Sequence, residues 1–142
     1  MSDSVYFDIA DRILAIARQI RHADADAKSP ITSLESSVMR FIDTHPGANA
    51  KAAAEASLLT SSNFSRALRS LEAKGYVRRE PDPHDARSVR LHPTQKAGEN
   101  RRWLHERWGA LLRDRVPDET AKELAAHLAL LEAALVAKRP ES

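Results

Sequence analysis

Six polar side chains crowd one short stretch of the chain: Ser61, Ser62, Asn63, Ser65, Arg66 and Arg69. Among them fall Phe64, Leu68 and Leu71, so a helix over 61–74 turns its apolar residues one way and its polar residues the other. The polar set suits the edges of DNA bases. Arginine grips guanine O6 and N7, asparagine grips adenine N6 and N7, and serine hydroxyls reach phosphates. Net charge over the whole chain is only +2, yet residues 63–79 hold five basic residues against one acidic. A local basic stretch in a balanced chain points to a polyanion-binding face. A second polar cluster follows, Asp82-Pro83-His84-Asp85-Ala86-Arg87 with Arg90 just beyond. A guanidinium on a narrow tip suits the negative potential of a narrow minor groove, and a nearby carboxylate could orient it.

Other chemistries find little support. With no cysteine, disulfides, thiol catalysis and iron–sulfur clusters are excluded. The sequence has no glycine-rich phosphate loop and no G-x-S-x-G nucleophile motif, so no enzyme activity is expected. His22, His45, His84, His92, His105 and His127 are scattered without ligand spacing, so neither a metal nor any other cofactor is expected. The first apolar residues are soon interrupted by Asp8, Asp11 and Arg12, and no apolar run approaches the ~20 residues that span a bilayer. The expectation is a cytoplasmic protein with no membrane partner.

The elements that would position the polar clusters can be read from periodicity and caps. Tyr6, Ile9, Ile13, Ile16 and Ile20 recur at steps of three and four, a heptad seam on a helix over about 4–22. Thr32 and Glu35 match a capping box that opens a second helix, expected to bury Leu34, Val38, Phe41 and Ile42 and to stop at His45-Pro46-Gly47. Asn49 caps a short alanine-rich helix over 50–57, and Thr60 or Ser61 caps the helix that ends at Gly75. The period then changes to two. Val77 with Val89 and Leu91 forms one face of a two-stranded ribbon, with residues 81–86 as its tip. Thr94 opens a long helix to about Arg115, and a last helix over 118–138 repeats Ala121, Leu124, Leu128, Leu131 and Leu135 in a second heptad seam.

Helices 50–57 and 61–74 around a tight turn, followed by a ribbon, make a winged helix-turn-helix, whose second helix enters the major groove. The fold class is therefore mainly α, with a two-stranded β wing and N- and C-terminal dimerisation helices. Residues 1–30 form a dimerisation helix and connector, 31–92 the DNA-binding domain, and 93–142 the linking and C-terminal dimerisation helices. The seams Ile9/Ile13/Ile16/Ile20 and Leu124/Leu128/Leu131/Leu135 lie at opposite ends of the chain. The middle domain offers too little apolar surface for both, so they are expected to pair across a twofold axis.

The run from Ser65-Arg66 through Leu71-Glu-Ala-Lys-Gly75-Tyr-Val77-Arg-Arg79, then Asp82-Pro-His-Asp85-Ala-Arg87 and Leu91-His-Pro-Thr94, resembles the MarR transcription regulators. Residues 31–98 carry the motifs, and the D-x-x-D-x-R wing tip, whose arginine stands ten residues after the K-G-Y-V turn, is the most specific of them. His84 and Ala86 depart from the residues common at those positions. The resemblance implies a homodimer on a pseudo-palindromic double-stranded operator, acting as a repressor and released by a small aromatic or amphipathic effector. It also implies that Arg87 reaches toward the minor groove and that Asp85 holds the wing, beside His84 and Arg90. Trp103 and Trp108 are candidates for lining an effector cleft. The competing reading from another class is a winged-helix protein–protein interaction module, which would not need the groove face and the arginine wing together.

Overall fold

The computed structural model describes residues 3–25 and 29–137. The elements run α1 (Asp3–Asp24), α2 (Ser33–Thr44), β1 (Ala48–Asn49), α3 (Ala50–Ser57), α4 (Ser61–Ala73), β2 (Val77–Asp82), β3 (Asp85–Pro93), α5 (Gln95–Leu112) and α6 (Asp118–Ala137). Two compact units divide the chain, residues 1–101 and 102–142, with the boundary inside α5.

Helix starts follow the expected caps. Thr32 closes both bonds of the capping box: its Oγ1 accepts from Glu35 N–H at 3.2 Å, and its own N–H donates to Glu35 Oε2 at 3.1 Å. Asn49 Oδ1 accepts from Ala52 N–H at 2.8 Å, and Thr60 Oγ1 accepts from Asn63 N–H at 3.2 Å, satisfying donors that the first helical turn leaves open. Helix α5 ends at Leu112, three residues short of the expected end.

The core of the first unit lies where α2, α3 and α4 cover the sheet. Val38, Ile42, Leu71 and Leu91 are its largest fully buried side chains, joined by Phe64, Leu68 and Tyr76. On α2 the buried stripe is 35-38-39-42, so Met39 is inside and Leu34, expected to be buried, is exposed. The helix is rotated about one residue from the face its apolar residues suggest. A glutamate occupies the stripe's first position.

The expected two-stranded ribbon is a three-stranded antiparallel sheet in the order β1-β3-β2. Gly47, at φ +85°, turns the chain out of α2 and donates its N–H to Leu91 O at 2.8 Å, which lets Ala48 and Asn49 pair with Leu91 and Arg90. Two residues are too few to show a period, so this strand left no pattern to read. In the hairpin Val77 stands opposite Pro93, Arg79 opposite Leu91 and Pro81 opposite Val89. Val77, Val89 and Leu91 thus share the face turned to the helices, and Arg90 and His92 share the other. Strand pairing continues to Asp82 and resumes at Asp85, so the turn is shorter than the expected tip over 81–86.

Candidate nucleic-acid interface

Helices α3 and α4 are joined by a three-residue turn that reverses the chain tightly. Leu58 takes up the bend in the left-handed region, at φ 60° and ψ 23°, with its side chain 72% exposed. A non-glycine residue there costs about 1–2 kcal/mol, so the packing of α3 and α4 against α2 must hold the turn. Leu59 anchors it by packing on the core.

Helix α4 presents its two faces as expected. Phe64, Ala67, Leu68 and Leu71 are buried, while Ser61, Ser62, Ser65, Arg66 and Arg69 are exposed. Asn63 sits at the border, half-buried. Arg69 lies back along the helix, its Nε donating to Ser65 O at 3.4 Å. The one acid on α4 is Glu72, and it pairs with Arg79 of β2. The exposed basic face therefore carries no competing carboxylate, and the same pair ties the wing to the helix.

At the wing, two aspartates brace the turn through the backbone. Asp82 Oδ1 accepts from His84 N–H and Asp85 Oδ1 from Arg87 N–H, each at 2.9 Å. The Asp85 carboxylate thus holds the chain at Arg87 and does not orient the guanidinium, because the i to i+2 amide is the donor its short side chain reaches. The guanidinium of Arg87 is left exposed with no ion pair among the described residues. Arg90 is placed differently: its Nη2 lies 3.5 Å from Asp82 Oδ1. The hydrogen bond from His84 N–H, with the charge of Arg90 adding to it, holds the Asp82 carboxyl below its ordinary range. On the same face His92 Nε2 lies 2.8 Å from Glu80 Oε2, and Arg78 lies 3.8 Å from Glu80. His84 is exposed at the turn.

One constellation at the far end of α4 left no signature in the sequence. Lys74 Nζ donates to both carboxylate oxygens of Glu35, at 3.0 and 2.9 Å, and to Pro30 O at 2.7 Å. Burial pushes the Glu35 carboxyl up, but hydrogen bonds from Lys74, Ser70 and Thr32, together with the ammonium charge, outweigh it and hold the group below its usual value. From the start of α5, Lys96 Nζ donates to Lys74 O and Thr94 Oγ1 to Gly75 O, both at 2.6 Å. Only the capping half of Glu35's role was legible.

The two heptad seams are uncovered in the single chain. No residue of α1 or α6 is buried; Ile9, Ile13, Ile16, Leu124, Leu128, Leu131 and Leu135 are exposed, and Ile20 is half-buried. Trp103 and Trp108 are exposed to nearly the same degree, 38% and 39%, and Arg107 sits over the Trp103 ring at 5.5 Å. Trp108 is thus not packed in the core, although it lies at helical spacing from Leu104 and Leu111. Among the described residues, no group of three His, Asp or Glu could hold a metal ion. No helix among them is long and apolar enough to cross a membrane.

Residues 29–88 match the sequence model of the MarR family. Curated proteins include no significant sequence match. Among solved structures, the fold is similar to the transcriptional regulator BldR from Sulfolobus solfataricus, at 23% identity and a TM-score of 0.72 over 94% of this chain and 99% of that one. It is also similar to a MarR transcriptional regulator from Methanosarcina mazei, at 22% identity and a TM-score of 0.70 over 92% and 96% of the two chains. A third similar structure is FabT of Streptococcus pneumoniae, solved in complex with DNA, at 20% identity and a TM-score of 0.65 over 94% and 99%.

Proposed function

We infer, from a chain whose residues 29–88 match the MarR family model, that the protein is a homodimeric repressor that binds double-stranded DNA. The observation that carries this reading is the joint exposure, on one compact unit, of an acid-free Ser/Asn/Arg face on α4 and an unpaired arginine at the wing tip. Helix α4 enters the major groove. Asn63, Arg66 and Arg69 read base edges, Ser61, Ser62 and Ser65 meet phosphates, and Arg87 reaches the adjacent minor groove beside His84 and Arg90. Asp85 keeps the wing tip in shape for that contact.

Dimerisation follows from the seams. Two stripes of isoleucine and leucine left in water are a surface that association removes. Pairing residues 1–30 and 93–142 with those of a second copy would set two domains over 31–92 about 34 Å apart, one turn of DNA. Such a dimer matches a pseudo-palindromic operator. The half-exposed tryptophans suit a small aromatic or amphipathic effector, and the operator places the protein's work in the cytoplasm.

Selection of duplexes from a random pool by the purified chain tests the reading. A twofold-symmetric consensus is expected, and Asn63→Ala or Arg66→Ala should cost about 1–3 kcal/mol on it while relaxing the sequence preference. Enrichment of no duplex would instead favour a protein–protein interaction module.

A further inference from the structure

Glu35 is the one charged residue that is buried among the described residues, with its side chain only 6% exposed. A methionine or leucine in the same stripe would satisfy packing without taking a carboxylate out of water, and buried ion pairs seldom surpass such replacements in stability. The pair is therefore better explained by geometry. An apolar contact can slide, whereas Lys74, bonded to two oxygens of Glu35 and to Pro30 O, is fixed in distance and direction.

The place where it acts is the C-terminal end of α4. Lys74 caps that helix, and the carbonyls of Lys74 and Gly75 are taken by Lys96 and Thr94. Ties from the segment before α2, from α2 itself and from the start of α5 thus meet on two adjacent residues. Asn63 stands eleven residues before Lys74, about 16 Å away along the helix axis. A tilt of about 5° at the clamp moves Asn63 by about 1.4 Å, more than the ~0.5 Å range over which a hydrogen bond to a base edge keeps its strength.

We propose that Glu35 and Lys74 are positioning residues for base reading: their ion pair sets the angle at which α4 presents Asn63, Arg66 and Arg69 to DNA. The inference rests on the DNA-binding reading above. Neither residue touches DNA; both act through the orientation of α4.

The test uses the full chain and two probes, a duplex selected from a random pool by the unaltered protein and a scrambled duplex of the same length and composition. Glu35→Gln and Lys74→Met should each lower the ratio of affinities for the two by about tenfold, the loss of one misaligned bidentate contact. Affinity for the scrambled duplex and the salt slope should stay unchanged. The double variant Glu35→Met/Lys74→Met separates positioning from stability, because an apolar pair removes the unpartnered buried charge that Lys74→Met leaves and so resists urea better than that single variant. Its ratio should remain low.

Recovery of the ratio along with stability would overturn the proposal, as would an unchanged ratio in Glu35→Gln. A salt slope reduced by about 1.8 in Lys74→Met, one phosphate for each protomer of the dimer, would also overturn it, since Lys74 would then touch phosphate directly. If the unaltered protein shows no preference between the probes, the regulator reading fails and the inference fails with it.

Discussion

Replacing Arg87 by alanine should weaken DNA binding without loosening the fold. The guanidinium is exposed and has no ion pair, and the bond that fixes its residue is the backbone N–H to Asp85, which alanine keeps. No apolar area is uncovered, so the change in unfolding free energy should stay within about 0.5 kcal/mol. The effect on DNA is electrostatic and can be worked out. Each neutralised phosphate contributes about 0.9 to the slope of log K against log salt. A dimer carries two copies of Arg87, so the slope should fall by about 1.8. Between about 50 and 200 mM salt, a fourfold change, affinity of the unaltered protein should therefore drop about twelvefold more than that of the variant. Arg90→Ala should cost less, because Arg90 must first leave Asp82 to meet a phosphate. Fluorescence anisotropy of a selected duplex across that salt range reads both quantities. An Arg87→Ala variant with unaltered affinity and slope would show that the wing does not meet DNA and would refute the reasoning.

Leu128→Glu should convert a dimer of about 32 kDa, twice the 15.8 kDa chain, into monomers on sedimentation, because a carboxylate has no partner in an apolar seam. Thr60→Ala removes the cap of α4 and should lower stability by about 1 kcal/mol in urea unfolding. Burial raises the Asp43 carboxyl above its ordinary value, and the nearby Arg101 offsets only part of that. The raised group favours folding at low pH and loses that contribution as pH rises through its folded value, so Asp43→Asn should raise the melting temperature at pH 7 and not at pH 3. Glu35 runs the opposite way. Its lowered carboxyl stabilises the fold above the ordinary value of 4.5 and loses that contribution as pH falls through its folded value, so Glu35→Gln should flatten the acid limb of the stability profile.

Whatever depends on residues within about four positions of one another was legible in the sequence. The caps at Thr32, Asn49 and Thr60 are bonds to amides three residues on. The two faces of α4 follow from the helical period, and the inward face of the hairpin follows from alternation at Val89 and Leu91. These local signals also located the polar face of α4 and the turn between β2 and β3, because both lie on single elements. The motif that resembles the MarR family falls on the same stretch.

Tertiary packing decided the rest. Leu34 looked like a core residue, yet the stripe α2 buries begins one position later, at Glu35. A glutamate can take that place only because Lys74 stands 39 positions further along the chain and meets it there. The two-residue strand β1 exists only because Leu91 and Arg90 offer it an edge. Asp85 chose the Arg87 amide over its guanidinium once the hairpin closed. Local rules fix which way a side chain points from its own element. Which charge or strand edge waits there is set by the burial of residues far apart in sequence, and that was decided only when the elements packed together.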